Sequence, residues 1–300
     1  MTNKVSRRAF LKGLIGTITG SLLAVFGGYG YARYIEPKLI RTESIPIESS
    51  KLPQSFSGTK IVQFSDTHLS EYYPISQLEK IATKINQLSP DLILFTGDLV
   101  DKPNQYGFLH QIAPILKKLK APLGKYAIYG NHDHGGYGTD IYENIMKESE
   151  FKLLKNTGVK IQLIDGSAIL LTGLDDMMLG RPDFGQTLKE AKDELYTILM
   201  AHEPDAALNA KAFPVDLQLS GHSHGGQVQL PFYGPLITPP FAAVYTEGLY
   251  EVDRMKLYVN RGLGTTRLPF RFFSVPEITL FTLTKKSASA MVSEDRQKRH

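Results

Sequence analysis

The feature that most constrains the fold is a series of five short apolar segments, each followed at once by Asp, Asn or His. In chain order, the polar clusters are Asp66-Thr67-His68, Gly97-Asp98-Leu99-Val100-Asp101, Gly130-Asn131-His132-Asp133, His202-Glu203-Pro204 and Gly221-His222-Ser223-His224. In open α/β sheets, ligands bind beyond the carboxyl ends of the strands. A single D-x-H or H-x-H motif would carry little weight, but five clusters in this order indicate a binding site at one sheet edge.

Between these clusters, β-branched or apolar runs alternate with helical patterns, which predicts a layered α/β domain. The predicted strands cover residues 60–65, 92–96, 125–129, 168–172, 196–201, 217–220, 256–260 and 278–283. The predicted helices cover residues 76–88, 109–120, 140–150 and 184–194. We expect the folded domain to span residues 58–284, followed by a polar tail at 285–300.

Composition excludes several functional classes. The 300 residues contain no cysteine, so disulfides, thiolate metal sites and a cysteine nucleophile are absent. The net charge of +4 is mild, and much of the basic charge lies near the two termini. Because no central basic patch interleaved with aromatic residues occurs, nucleic acid is not an expected partner.

The N-terminus predicts an export signal or a membrane anchor. The segment "SRRAFLKG" carries Arg7 and Arg8, and no charge follows from Gly13 to Ala32. This pattern is typical of a twin-arginine signal, although a plain anchor is the alternative, and 20 residues suffice to cross a bilayer. Residues 1–35 are therefore interpreted as signal or anchor, and residues 36–57 as a tether passing into an edge strand. The twin-arginine translocase is the expected export partner, and the sequence leaves cleavage of the signal open.

The spacing within the clusters predicts convergence. In extended backbone, residues two apart point the same way, so Asp66 and His68 should face one point, as should His222 and His224. Carboxylate, amide and imidazole ligands without thiolate suit Mn, Fe or Zn. Asp98 has two carboxylate oxygens and could bridge a pair of ions about 3.5–4 Å apart.

Taken together, the motifs D-x-H, G-D-x-x-D, G-N-H-D, H and G-H-x-H resemble those of the calcineurin-like metallophosphoesterases. The twin-arginine leader, "YGNHDHGGYG" and "LSGHSHGGQVQLPFYGP" further resemble the YkuE-type exported phosphoesterases of Gram-positive bacteria. That group is similar in turn to enzymes that cleave the pyrophosphate of UDP-diacylglucosamine. The resemblance implies an α/β fold in which a two-sheet β-sandwich is flanked by helices.

The resemblance also implies the roles of the site residues. One metal ion would be held by Asp66, His68, Asp98 and His224, and the second by Asp98, Asn131, His202 and His222. His132 would stabilise developing charge and protonate the leaving oxygen, while Asp101 would orient His132 through its other ring nitrogen. A hydroxide bridging two divalent ions would be the nucleophile.

The expected function is hydrolysis of phosphate ester or pyrophosphate bonds on phosphorylated small-molecule, lipid or cell-wall substrates outside the cytoplasm. The expected location is membrane-anchored or wall-associated. A UDP-diacylglucosamine-type pyrophosphatase is one alternative, and a non-catalytic, metal-bearing module that binds wall or lipid is another.

Two later segments are expected to border the site. Residues 231–245 and 261–273 mix prolines and aromatics with Arg261, Arg267 and Arg271. An arginine here could hold a second phosphate or a carboxylate, and the apolar residues could contact a lipid chain or a membrane edge. Ordinary covering of the sheet edge is the alternative. His134 is interpreted as either a substrate contact or a turn residue, and Asp133 as support for its neighbours.

Overall fold

The computed structural model describes residues 6–134 and 139–286. Two six-stranded sheets pack face to face, and helices cover their outer faces. The predicted fold class, an α/β two-sheet sandwich flanked by helices, is confirmed.

The first sheet has the strand order β1-β14-β2-β3-β4-β5. Its strands are β1 (Arg41–Ser49), β2 (Lys60–Phe64), β3 (Leu92–Phe95), β4 (Lys125–Ala127), β5 (Lys152–Leu153) and β14 (Glu277–Lys285). Strands β2 to β5 run parallel to one another, whereas β14 is antiparallel to β2. The carboxyl ends of β2, β3 and β4 therefore meet at one edge.

The second sheet has the order β12-β13-β9-β8-β7-β6. Its strands are β6 (Thr157–Gln162), β7 (Ala168–Gly173), β8 (Thr197–Met200), β9 (Leu217–Ser220), β12 (Gly248–Val252) and β13 (Met255–Val259). The four central strands are parallel, and the two outer strands are antiparallel to their neighbours. A small hairpin of β10 (Gln229–Leu230) and β11 (Gly234–Pro235) lies apart from both sheets.

Alternate residues of the buried strands serve two different cores, as the two-residue period of a strand requires. Ile61 and Leu94 face the layer between the sheets, where they meet Ile198 and Leu219 of the second sheet. Phe95 faces the opposite side and joins the core beneath the helices. Burial on both faces explains why these strands are continuous apolar runs in the sequence.

Three helices cover the first sheet, two single-turn helices pack on the second sheet, and a third single-turn helix follows β4. The main helices are α2 (Ile75–Gln87), α3 (Leu109–Lys117) and α5 (Asp140–Glu148), and the short ones are α4 (Asn131–His134), α6 (Phe184–Thr187) and α7 (Ala207–Ala210). The helix predicted at 184–194 is wrong beyond Thr187. Leu188 and Tyr196 are both buried, and the polar residues between them turn at the surface instead of continuing the helix.

The N-terminal helix α1 (Arg7–Gly30) is exposed along its length and continues into a π-helical turn, Tyr31–Ile35. The helical stretch Arg7–Lys38 has a mean hydropathy of 1.7 in its most apolar window, so it is long and apolar enough to cross a membrane. This agrees with the membrane association expected from the sequence.

Residues 36–57 are not a free tether, and that expectation is corrected. Nine of them form β1, the outermost strand, which pairs in parallel with β14 along its whole length. Ile47, Leu52 and Phe56 are fully buried in the core between the sheets. The edge strand was expected, but its length and its burial were not. Of the expected polar tail, residues 287–300 lie outside the described residues.

Candidate metal centre

The strand ends of both sheets supply the candidate ligands. The first sheet delivers Asp66 and His68 after β2, Asp98 after β3 and Asn131 after β4. The second sheet delivers His202 after β8, and His222 and His224 after β9. The two sheets meet at this edge, where the Asp and His members lie close together and are all buried. Asn131 follows β4 at the same edge.

The backbone reaches this arrangement by a different route from the one expected. Asp66, His68, Asp98, His222 and His224 all have positive φ, between 40° and 67°. They lie in the left-handed region, which costs a residue with a Cβ of the order of 1 kcal/mol or more. The convergence of residues two apart therefore comes from local left-handed turns rather than from extended backbone.

One cluster of donor atoms comprises Asp66, His68 and His224. The Nε2 atoms of His68 and His224 are 3.0 Å apart, and they lie 3.8 Å and 3.5 Å from Asp66 Oδ1. Asp66 also accepts the backbone N–H of His222 at 3.1 Å, which ties the turn after β2 to the turn after β9. Burial raises the pKa of the Asp66 carboxyl, although the nearby His202 opposes that shift.

A second cluster comprises Asp98, His202 and His222. His202 Nδ1 donates to the Thr96 carbonyl at 2.6 Å, and His222 Nε2 donates to the Pro240 carbonyl at 2.9 Å. Each bond makes that nitrogen the donor and leaves the other ring nitrogen facing the cluster, the usual way in which a metal-binding imidazole is oriented. Burial lowers the pKa of His222 to about 4, so this imidazole is neutral near pH 7.

Asp98 joins the two clusters. Its Oδ2 atom is 3.3 Å from His68 Nε2 and 3.3 Å from His202 Nε2, while its Oδ1 atom accepts the backbone N–H of His132 at 2.8 Å. Burial alone would raise the pKa of this carboxyl, but the neighbouring His202 and His132 outweigh burial and hold the pKa well below its usual value. Asp98 is therefore an ionised carboxylate with one oxygen between two imidazole groups.

The donor set fits metal ions. Among the described residues, the buried Asn131 Oδ1 and His202 Nε2 have no hydrogen-bond partner. Buried polar atoms are normally paired, so the unpaired Nε2 atom of His202, which belongs to a donor cluster, indicates a missing partner. Carboxylate, amide and imidazole donors are the ligands of Mn, Fe and Zn sites. The cluster can therefore bind metal ions.

His132 forms a third group of possible metal donors with His68 and Asp98, and its contact with Asp101 differs from the expected one. His132 Nδ1 donates to the backbone carbonyl of Asp101 at 2.8 Å, and the Asp101 carboxylate is 3.6 Å from the same atom. That carboxylate is also 3.6 Å from His68 Nδ1. Asp101 therefore orients His132 mainly through its main chain and sits between the two rings as a negative charge.

Asp133 holds two of the ligand turns together. Its carboxylate accepts the backbone N–H groups of Asp98 at 2.7 Å, Leu99 at 3.0 Å and Gly130 at 2.9 Å. Burial and the charge of Asp98 raise its pKa to about 7. The interpretation as support for neighbouring ligands agrees with this geometry.

The three later arginines do not act as a group. Arg261 pairs with Glu43 and Glu277, and Arg267 is exposed. Arg271 is fully buried, and its guanidinium donates to the Gly264 carbonyl and approaches His224 Nδ1 at 3.2 Å. Both guanidinium groups are already paired inside the protein, so for Arg261 and Arg271 the geometry favours the alternative, ordinary covering of the sheet edge.

The sequence did not predict the position of Arg271, which is buried behind the candidate metal centre. Arg271 fixes the loop behind His224, and the available signal was its location between Phe270 and Phe272 in an apolar run. His134 is also paired internally, since its Nε2 atom is 2.7 Å from Asp175 Oδ1.

Comparison with known proteins agrees with this geometry. The family model described as "Calcineurin-like phosphoesterase" matches residues 59–226. The metallophosphoesterase YkuE of Bacillus subtilis (strain 168) is 54% identical over 280 residues, which cover 93% of this chain and 98% of the relative.

Two further relatives carry more specific names. A "Transmembrane protein with metallophosphoesterase domain" of Danio rerio is 33% identical, over 93% of this chain and 64% of the relative. The UDP-2,3-diacylglucosamine pyrophosphatase LpxG of Chlamydia muridarum is 30% identical, over 83% of this chain and 91% of the relative. With the family match spanning all five polar clusters, the chain belongs to the calcineurin-like phosphoesterase family and is a metal-dependent phosphohydrolase.

Proposed function

We propose that this chain hydrolyses phosphate ester or pyrophosphate bonds of cell-envelope substrates outside the cytoplasm, with two divalent ions of Mn, Fe or Zn. The observation that carries the proposal is the position of Asp98 Oδ2, 3.3 Å from an imidazole nitrogen of each donor cluster. A carboxylate shared in this way supports a site for two cations rather than one.

In the proposed site, Asp66, His68, Asp98 and His224 hold one ion, and Asp98, Asn131, His202 and His222 hold the other. The bound ions would neutralise phosphate charge and lower the pKa of a coordinated water. His132 donates a proton to the leaving oxygen, and the Asp101 carbonyl keeps its ring in place for that transfer. The Ser65 hydroxyl lies beside Asp66, a proposed metal ligand, and the Ser223 hydroxyl donates to the Thr246 carbonyl, so water rather than a side chain is the proposed nucleophile.

The test compares hydrolysis of a chromogenic phosphodiester in the presence of Mn²⁺ by the parent and by Asp98→Ala. We expect the variant to lose activity because both ions would share this ligand. Asp193→Ala is the matched control, since Asp193 is an exposed carboxylate in a surface ion pair with Arg254. Equal rates for the parent and Asp98→Ala would reject the enzyme and leave a non-catalytic, metal-bearing binding module.

A nucleotide-lipid pyrophosphatase is the second candidate. It is supported by the similarity to a protein named UDP-2,3-diacylglucosamine pyrophosphatase. A panel containing a phosphomonoester, a phosphodiester and a UDP-linked diacyl sugar would separate the candidates. Preferential cleavage of the last substrate would favour the pyrophosphatase.

We also propose that residues 1–35 direct the folded protein through the twin-arginine translocase. Arg7 and Arg8 lie exposed in the first turn of α1, after Ser6, whose hydroxyl accepts the Ala9 N–H. The test replaces both arginines with lysine and measures the exported fraction. Export that continues unaffected would leave α1 as a plain membrane anchor.

A further inference from the structure

We infer that an apolar surface beside the metal centre binds the lipid bilayer and holds the centre against the membrane. This surface, here named the apolar rim, consists of Phe232, Tyr233, Ile237, Leu268 and Phe273. Bilayer binding by the rim is independent of which phosphorylated compound is hydrolysed.

The apolar side chains of the rim are unusually exposed to solvent. Phe232 is fully exposed, and Tyr233 and Ile237 are each 77% exposed. Leu268 and Phe273 are more than half exposed. Single exposed apolar residues are common, but several from neighbouring loops mark a membrane or interaction surface.

Two loops form the rim, and hydrogen bonds join them. The first carries β10 and β11, with Phe232 and Tyr233 in the turn between them. The second is the segment 266–273. Gln229 N–H donates to the Phe272 carbonyl at 2.8 Å, and Phe272 N–H donates to the Gln227 carbonyl at 3.0 Å. The backbones of the two loops are therefore joined, and we infer that their exposed apolar side chains act as one surface.

The same surface is continuous with the end of the N-terminal apolar helix. The rings of Tyr29 and Phe270 pack edge to face with centroids 5.3 Å apart, and Arg271 N–H donates to the Ala32 carbonyl at 2.9 Å. The buried Glu36 accepts the backbone N–H groups of Phe273 and Ser274. The rim thus begins where the helix ends, so a membrane that contains the helix meets the rim first.

Side chains at this junction suit the boundary between lipid and water. Tyr29, Tyr31 and Tyr34 lie at the end of the helix, and tyrosine is enriched at the headgroup level of membranes. Arg33 and the exposed Arg267 add positive charge, which favours anionic lipid surfaces. Aromatic, aliphatic and cationic groups in one place match a bilayer better than a soluble protein partner.

The rim is also part of the wall of the metal centre. The Pro240 carbonyl, in the loop that follows Ile237, accepts the ring N–H of His222. Arg271, between Leu268 and Phe273, approaches His224. Contact between the rim and lipid therefore positions the metal centre at the membrane surface, within reach of phosphorylated headgroups.

Tryptophan fluorescence tests this inference directly, because the natural chain has no tryptophan. The full chain carrying Phe232→Trp is reconstituted into vesicles with or without lipids brominated on their acyl chains. We expect blue-shifted emission that the brominated lipids quench. Ile164→Trp is the matched control, because Ile164 is as exposed as Phe232, at 109% against 110%. Ile164 precedes the amino end of β7, at the sheet edge opposite the metal centre.

Leu268→Trp provides an independent probe from the second loop and covers the case in which Phe232→Trp does not fold. Quenching at both rim positions with none at Ile164→Trp supports the inference. Equal quenching at Phe232→Trp, Leu268→Trp and Ile164→Trp would overturn it. A concentration-dependent blue shift at the rim in lipid-free detergent, without quenching by brominated lipid, would instead identify a second copy of the chain as the occupant and also overturn it. None of these readouts depends on hydrolysis, so they remain informative whatever the activity assay gives.

Discussion

At the scale of single residues, the ligand turns store backbone strain. Five of the seven candidate ligands have positive φ although none of them is glycine. Such conformations persist only where the surroundings enforce them. Asp133 supplies part of that enforcement, because its carboxylate accepts N–H groups from the turn after β3 and from the turn after β4. Bound cations would supply the rest by drawing the strained side chains together.

The first prediction separates His132 from Asp101. His132→Ala should lower kcat roughly 10²- to 10⁴-fold, the usual contribution of a positioned proton donor. Asp101→Asn should lower kcat much less, because it retains the carbonyl that accepts from His132 Nδ1. Steady-state kinetics on the chromogenic phosphodiester measure both effects. A loss in Asp101→Asn equal to that in His132→Ala would show that the carboxylate, not the carbonyl, orients the ring.

The pH dependence of Asp101→Asn provides a second test of the same pair. Burial lowers the pKa of His132, but Asp98, the Asp101 carbonyl bond and the Asp101 charge outweigh burial, so the pKa is raised overall. A protonated His132 is needed to donate, and therefore the rate should fall as pH rises through this pKa. Removing the Asp101 charge should move that alkaline limb to lower pH. The exposed control Asp193→Asn should leave the limb in place.

At the scale of secondary-structure elements, the turn after β9 depends on the absence of a side chain at Gly221. A Cβ there would lie 2.1 Å from Ser65 Oγ and 2.3 Å from Asp66 Oδ2. The second prediction is that Gly221→Ala displaces Asp66 and weakens Mn²⁺ binding roughly 10- to 100-fold, as other changes beside metal ligands do. Titration calorimetry measures the affinity. Gly107→Ala is the control, since a Cβ at Gly107 meets no heavy atom within 4 Å, and equal affinities for the two variants would contradict the steric argument.

The third prediction concerns the junction between α1 and the domain. Glu36→Ala leaves the backbone N–H groups of Phe273 and Ser274 without their acceptor, at a cost of about 1–3 kcal/mol for a buried group. Hydrogen exchange should therefore accelerate in residues 270–274 while the central strands keep their protection. Glu48→Ala, an exposed position in β1, should leave exchange in that segment unchanged. Unaltered exchange in Glu36→Ala would show that the helix is not coupled to the domain through this contact.

Local sequence patterns predicted the strands that are short apolar runs and missed several more polar ones, including the local strands β6 and β12, and they did not predict the length of β1. Strands β2, β3, β8 and β9 were recognisable because each is a short apolar run. Strand β1 carries charges and a proline, and it forms by pairing with β14 from the other end of the chain. The local sequence of β1 gives no indication that β14 is its partner. The left-handed ligand residues were equally hidden, because tertiary contacts rather than residue type impose their conformation.

At the scale of the whole molecule, the packing of the two sheets creates the metal centre. The first sheet contributes Asp66, His68, Asp98 and Asn131, whereas the second contributes the three remaining imidazoles. Two of the donor groups combine both sheets, since Asp66 and His68 join His224, and Asp98 joins His202 and His222. The third group, His68, Asp98 and His132, comes from the first sheet. The order of the motifs in the sequence predicted this set of residues. It did not predict which residues belong to which sheet, and only the structure shows this.

Because both sheets contribute candidate ligands, bound metal should stabilise the whole domain rather than one loop. A ligand that binds only the folded state adds about 2.7 kcal/mol at 100 times its Kd. At about 2–4 °C per kcal/mol for a domain of this size, removal of metal by a chelator should lower Tm by about 5–10 °C. Differential scanning calorimetry measures the shift, and added Mn²⁺ should reverse it. Asp98→Ala should show little response to either treatment because it lacks the carboxylate that joins the two clusters. If neither chelator nor Mn²⁺ changed the Tm of the parent protein, metal would not contribute to the stability of the folded domain. Protein contacts alone, such as those of Asp133, would then hold the ligand turns in their strained conformations.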